Sequence, residues 1–476
     1  MRAMRLAAFT LLTALSLLSY ADGLPDLGDA SQDVVSPQQE RAIGQQTMFE
    51  IRASKQYLGD AEVNDYLNQL GYRLVSNSSE PSLEFEFFAI NDGAINAFAL
   101  PVGFVGVNTG LILLAQSESE LASVLSHEIS HVTQHHIARM ISGQRYDTLA
   151  SIASLAVAIL AARSNPQASQ AAVAGAQAGM MQRQLDFTRT NEQEADRIGL
   201  ELLEKSGFDI HAMPNFFQRM QKATGLLEGN APSYLRTHPL TSDRIADVDN
   251  RVDQLPYKLV ADGLEFQLVR AKLHVLDKSP AEAVAYFESA LGPQKFGNPL
   301  VQRYGLVLAL LKNRQSERAA QEWSKTSAPL PPSPMLETLS IQLASRGKSD
   351  AENMAAYQKA MQRYPQHRAL AYDYADLLLK NKRHADAKKL LDERILLTPN
   401  DPRLYELQAR NYAALSLPQP SHRALAYALL LRGDLLGSIQ QMEIARRSGH
   451  DPYQLAVIET ELKQLNEMIA ARKKKR

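Results

Sequence analysis

Apolar residues recur at helical spacing along most of this 476-residue chain and switch to alternation in one short stretch. The pattern is helical from Ile43 to Leu74. From Ser82 to Ile90, Leu83, Phe85 and Phe87 fall on one side, as in a strand. Asn91-Asp92-Gly93 signals a turn, and Ala94–Ala99 and Phe104–Asn108 read as two further strands. Pro101, between them, has no N–H to give to a ladder, which puts this hairpin at a sheet edge. A long amphipathic helix is predicted next, from about Glu118 to Ile141. Ser117 and Glu120 form a capping box ahead of Leu121, Val124 and Leu125.

Thr148 to Ala162 is apolar and alanine-rich but short for a membrane span. It reads as a buried helix covering its predecessor, or as a lid or a peripheral membrane contact. Ser164 to Gly179 is rich in Ala, Gln, Ser and Gly, and a further helix begins near Asn191, with helical patterning to about Leu255. From Glu265 the pattern becomes short amphipathic helices in pairs. Ala283-x3-Phe287-x2-Ala290 and Tyr357-x2-Ala360-x4-Pro365 match the second helix of a tetratricopeptide repeat, and Pro365 and Pro399 stand one 34-residue period apart. Ala387 and Leu391 fit the repeat ending at Pro399, and Ala445 with Pro452 suggest a last, irregular unit. The Pro-rich run 329–334 breaks the array at a surface loop. The pattern predicts a mainly α protein with a small edge-exposed β-sheet, followed by an α-solenoid.

Composition narrows the setting. A net charge of −1 argues against a general nucleic-acid binder, and the basic run Arg472–Arg476 reads as a solvated helix end. Arg2 and Arg5, the apolar Leu6–Leu18 and the small-x-small site Ser19-Tyr20-Ala21 form a secretory signal, residues 1–21. Residues 22–42, rich in Pro, Asp and Ser at their start, are expected to be extended. The chain has no cysteine, and export without disulfides fits a bacterial periplasm. The remainder divides into a first unit, 43–258, and a repeat unit, 259–476.

The candidate chemistry sits on the predicted helix, as His127-Glu128-Ile129-Ser130-His131. Two histidines four apart share a helix face, so their rings can converge on one Zn²⁺. Glu128 lies beside them, placed to take a proton from the attacking water. His135 continues the series but is about 12 Å along the axis from His127, too far for one ion to join all three. His135 and His136 are therefore expected beside the site or on the surface. Gln134 and Ile137 stand where a metzincin needs Gly and His.

A catalytic zinc takes three protein ligands, and the third is sought in Asn191-Glu192-Gln193-Glu194-Ala195-Asp196. Glu192 and Asp196 share a helix face, whereas Glu194 points away, so Glu192 is preferred over Glu194 as ligand. Asp196 then accepts the far ring N–H of a ligand histidine. His238, held extended by Pro239 and followed by Arg244, lies on a loop. It has three readings: a fourth ligand that holds the enzyme latent, a donor to the developing oxyanion, or a structural histidine. Arg244 is expected to support the site without binding metal.

H-E-I-S-H followed by E-Q-E-A-D-R resembles the zinc peptidase family of HtpX and the CAAX prenyl proteases. Its pattern is H-E-x-x-H and then E-x-x-x-D on a second helix. The match falls on His127, Glu128, His131, Glu192 and Asp196. Asn96-Ala97-Phe98-Ala99-Leu100-Pro101 is similar to that family's edge strand above the metal, and His238-Pro239 to its H-P segment. The resemblance implies a gluzincin-type zinc peptidase domain holding one Zn²⁺ per chain. It implies an endopeptidase whose substrate adds as a strand along Asn96, Ala97 and Phe98. A signal, a peptidase unit and a repeat tail together resemble the periplasmic members that serve outer-membrane biogenesis. Misfolded or misassembled outer-membrane β-barrel proteins are then the clients, and the barrel assembly machinery is the partner of the repeats. The rival is a chaperone or scaffold with a mainly structural or latent metal site. Glu128 argues against it, since a structural site needs no base.

Overall fold

Ser36 starts the first helix through a capping box. Its hydroxyl accepts from the Gln39 N–H (3.3 Å) and the Gln39 side-chain oxygen accepts from the Ser36 N–H (2.9 Å). The segment expected to be extended to residue 42 is therefore helical from α1 (Pro37–Ala53) onward. The computed structural model describes residues 36–137, 139, 189–226, 233–253, 255–256, 258, 260–292 and 297–475. The expected signal peptide (1–21), the apolar stretch 148–162 and the stretch 164–179 lie outside the described residues.

The single helical run expected from Ile43 to Leu74 is two helices. Ser54 ends α1 by bonding back to the Ile51 carbonyl, and Asp60 caps α2 (Ala61–Val75) by accepting from the Val63 N–H. Three strands follow, β1 (Glu86–Ile90), β2 (Ala97–Leu100) and β3 (Phe104–Asn108), in the order β1-β3-β2. β1 runs parallel to β3 and β2 antiparallel to it, so among the described residues β2 is an edge strand, next to Pro101 as expected. The alternation in β1 is incomplete because both sheet faces are covered. Phe87 and Ala89 join α2 in the main core, while Phe88 and Ile90 pack with Met48 and Ile51 of α1. Gly71 lets α2 lie on the sheet, since a Cβ there would overlap the Phe87 ring.

After α3 (Thr109–Leu114), α4 (Glu118–Thr133) carries the histidines. Ser117 caps it by accepting from the Glu120 N–H, but the Glu120 carboxylate bonds to the Gln116 N–H, so the expected box closes one residue early. The helix stops at Thr133, short of the expected Ile141, because Gln134 caps it and His135 turns to φ 50°. It is not amphipathic: nearly every residue is buried. Ser123, Ser126 and Ser130 survive that burial by donating to helix carbonyls at 2.7–2.8 Å.

α5 (Arg189–Lys205), α6 (Ala212–Leu226), α7 (Ser233–Thr237) and α8 (Ser242–Val252) complete the shell around α4. The paired helices of the solenoid then begin with α9 (Leu264–Asp277), α10 (Pro280–Ala290), α11 (Pro299–Lys312) and α12 (Ser316–Ser324). Beyond the Pro-rich loop come α13 (Pro334–Ala344), α14 (Asp350–Arg363), α15 (Arg368–Lys380) and α16 (His384–Leu397). The array closes with α17 (Pro402–Ala414), α18 (Pro418–Leu431), α19 (Leu435–Arg447) and α20 (Pro452–Lys475). One apolar core runs without a break from Val63 through Phe266, Phe287 and Tyr304 to Leu339. The array curls back onto the start of the chain. Arg368 pairs with Asp65 at 2.6 Å, Lys272 pairs with Glu62 at 2.6 Å and Asp60 at 2.7 Å, and Phe49 packs on the cluster of α19 and α20. None of the described helices is long and apolar enough to cross a membrane.

Candidate metal centre

Two helices and one loop converge at the middle of the first unit. α4 supplies His127, Glu128 and His131, α5 supplies Glu192 and Asp196, and His238 follows α7. α4 and α5 can pack this closely because Gly199 faces the backbone of His127, where a Cβ would lie 3.1 Å from the His127 nitrogen.

His127, His131, Glu192 and His238 each direct one nitrogen or oxygen into a common space, all within 4.8 Å of one another and all buried. His127 Nε2 lies 3.0 Å from His131 Nε2 and 3.3 Å from His238 Nδ1. Glu192 oxygens lie 3.4 Å from His131 Nε2, 3.5 Å from His127 Nε2 and 3.1 Å from His238 Nδ1. Four donors around a zinc with bonds of about 2.0–2.1 Å would stand about 3.3 Å apart. The spacing fits that edge. Lone pairs on ring nitrogens 3.0 Å apart repel one another unless a proton or a cation lies between them, and three imidazoles with one carboxylate suit zinc. Glu194 does not join this group. It turns towards His136 and Arg139, at 3.2 and 2.8 Å.

The frame around the donors is charged and tight. Asp196 Oδ1 lies 2.9 Å from His127 Nδ1. Arg244 grips the Asp196 carboxylate with Nε and Nη2, each at 2.7 Å, and its Nη1 donates to Glu192 at 2.8 Å and to the Pro239 carbonyl at 2.9 Å. Burial pushes the Glu192 and Asp196 carboxyls up, but the facing rings and Arg244 win and hold both well into the ionised range. Burial lowers His131 to about 3 and leaves its ring neutral. His127 goes the other way: burial pulls it down, but the Asp196 and Glu192 carboxylates beside it raise it to about 10. The two carboxylates that face His127 thus favour a cation held beside its Nε2.

Glu128 is 1% exposed, and among the described residues its carboxylate accepts no hydrogen bond. His238 Nε2 lies 3.4 Å from Glu128 Oε1. Asn96 is buried just ahead of β2, Ala97 is buried within it, and Phe98 packs edge-on to Phe88 at 6.1 Å. β2 lies against α4. Tyr234 was not legible in the sequence. Its ring stacks on His238 at 4.7 Å, and its N–H donates to the Ile95 carbonyl, tying the His238 loop to the start of the edge strand. The available signal was its position four residues before His238, within one helical turn.

This is the arrangement of a zinc-dependent peptidase built on two helices. The profile described as peptidase family M48 matches residues 61–252, and the tetratricopeptide repeat profile matches 350–410. The chain is 33% identical to the β-barrel assembly-enhancing protease of Yersinia pestis over 89% of its own length and 87% of the relative. It is 32% identical to the Escherichia coli K12 protein of the same name over 87% and 85% of the two chains. Identity to a putative β-barrel assembly-enhancing protease of Vibrio cholerae is 35%, over 79% and 78%. The chain belongs to peptidase family M48: it is a zinc metalloprotease joined to tetratricopeptide repeats.

Proposed function

We propose that the peptidase unit, 43–258, is an endopeptidase of the bacterial periplasm that works with the repeat unit, 259–476, on outer-membrane β-barrel proteins that have misfolded or misassembled. His127, His131 and Glu192 hold one zinc per chain. Bound there, zinc polarises a substrate carbonyl and lowers the pKa of water to about 7. Glu128 takes the proton from the attacking water and returns it to the leaving amine. The observation that carries this role is the buried Glu128 carboxylate, which accepts no hydrogen bond among the described residues and lies beside a four-donor cluster. Asp196 orients His127, and Arg244 holds Asp196, Glu192 and the His238 loop in register. Substrate adds as a strand at Asn96, Ala97 and Phe98, to the outer side of β2, which pairs with no strand among the described residues, so that recognition is largely main-chain. Main-chain recognition suits unfolded clients. The names of the relatives support barrel proteins as those clients and the barrel assembly machinery as the partner of the repeats.

The test is cleavage of an unfolded β-barrel protein by the full chain, with and without Glu128→Gln. The variant is expected to keep its metal and fold and to lose activity by about 10²–10⁴-fold, the usual worth of a general base. Near-normal cleavage would overturn the assignment.

One observation favours a resting enzyme that is latent. His238 Nδ1 stands among the donors at 3.1–3.3 Å, in the place that an attacking water needs. His238→Ala is then expected to raise proteolysis, self-cleavage included. A fall in kcat of about 10²–10³ would instead make His238 the oxyanion donor.

A further inference from the structure

The two histidines of α4 are supported in different ways. Each offers Nε2 to the donor cluster, so each carries its proton on Nδ1, and that N–H needs an acceptor. His127 Nδ1 meets the Asp196 carboxylate directly, at 2.9 Å. His131 Nδ1 meets another imidazole: His136 Nδ1 lies 2.8 Å away, the two rings edge to face with centroids 4.8 Å apart. His136 is fully buried. Its Nε2 lies 3.2 Å from Glu194 Oε2, and Arg139 Nη2 donates to that same oxygen at 2.8 Å.

A continuous helix would not make this contact. Residues five apart are about 140° away from each other around the axis. The contact exists because α4 ends at Thr133 and His135 takes φ 50°, a backbone conformation that side chains other than glycine rarely adopt. The turn folds His136 back beneath His131, while His135 itself leaves the site and reaches Glu80 at 3.3 Å.

We propose that His136 is a positioning residue for the metal, acting through His131. A neutral imidazole has one acceptor and one donor nitrogen, which is what this location requires. Its Nδ1 accepts the His131 N–H and fixes that ring's tautomer and orientation. Its Nε2–H donates to Glu194, which Arg139 holds in place. Glu194, turned away from the donor cluster, supports His131 at one remove, as Asp196 supports His127 directly. The inference rests on His127, His131 and Glu192 being the zinc ligands.

The experiment compares the full chain with His136→Leu, His136→Asn, Glu194→Gln and His131→Ala. Zinc affinity is read by chelator competition, and coordination by the visible d–d bands of the Co²⁺-substituted protein. Loss of such an outer partner typically weakens metal binding 10–100-fold. His136→Leu is expected to fall in that range and to shift the Co²⁺ bands. His136→Asn, whose side-chain oxygen can take the place of Nδ1, should recover most of the affinity. Glu194→Gln should shift the bands in the same sense with a smaller loss. Zinc affinity within twofold of the parent and unchanged bands in His136→Leu would overturn the proposal. Should His136→Leu fail to fold, unchanged Co²⁺ bands in Glu194→Gln would overturn it equally. The His131→Ala arm separates this inference from the site itself. Loss of zinc there but not in the His136 variants removes only the positioning role, whereas retention in both removes the metal site.

Discussion

Arg244 shows how much one side chain can organise. It is almost fully buried and touches Asp196, Glu192 and the Pro239 carbonyl, so a single guanidinium sets two helices and a loop against each other. Breaking a buried pair of this kind costs about 3–5 kcal/mol, because the partner charge stays behind. The acidic pair on α5 divides by direction: Glu192 faces the donor cluster and Glu194 faces His136 and Arg139. Glu192→Gln is expected to weaken zinc binding well beyond Glu194→Gln, since the first removes a charged donor and the second only a distant hydrogen-bond acceptor. Chelator titration of the two variants checks the order, and the reverse order would make Glu194 the ligand.

At the scale of elements, the site depends on how closely α4 and α5 approach. Gly199 sets that approach at the level of His127, one turn from Asp196 on α5. Gly199→Val is expected to push α5 away from α4, cost about 1–3 kcal/mol of stability through overpacking, and lower zinc affinity as well. Thermal unfolding together with metal titration distinguishes this from a surface effect, which would leave both unchanged. The burial of α4 on all sides belongs to the same scale. The sequence shows an apolar stripe and four serines, which reads as amphipathic. Ser123, Ser126 and Ser130 point inwards and bond to the helix's own carbonyls, so their polarity is used up locally, and Ser119 accepts from the Asp209 N–H. A periodicity argument has no access to that, because it counts a serine as a group that wants water.

For the whole molecule, the consequence is that the peptidase and the first repeats share a core. Phe266 of α9 is buried near Tyr66 of α2, with ring centroids 6.5 Å apart, and the Glu118 carboxylate at the start of α4 accepts from the Gly263 N–H at 3.1 Å. A chain cut at residue 264 would expose that face to water. A chain cut after Gly347 would keep the first core whole, since the next cluster, apart from Ile341, begins at Met354. The longer truncation is expected to be folded and zinc-bound by circular dichroism and metal content, and the shorter one to aggregate or unfold. A stable, zinc-loaded chain ending at residue 264 would show that the repeats add nothing to the peptidase fold.

By itself the sequence determined what depends on local spacing. The i, i+4 histidines with Glu128 beside them, the shared face of Glu192 and Asp196, the three short strands with Pro101 at the edge, and the 34-residue period are all properties of a helix or strand considered alone. The tertiary structure decided what stands opposite each face. It brought His238 Nδ1 to within 3.3 Å of His127 Nε2 across 111 residues, stacked Tyr234 on His238, and turned Glu194 out of the donor cluster. It ended α4 at Thr133 so that His136 could fold under His131, and it ran one core across the expected boundary at 258/259. The physical reason is common to all of these. Spacing along a chain fixes the direction a side chain leaves its own element, whereas contacts between elements depend on where helices end and how closely they pack. Those are set by caps, single glycines and buried charge pairs whose partners lie far away in the chain.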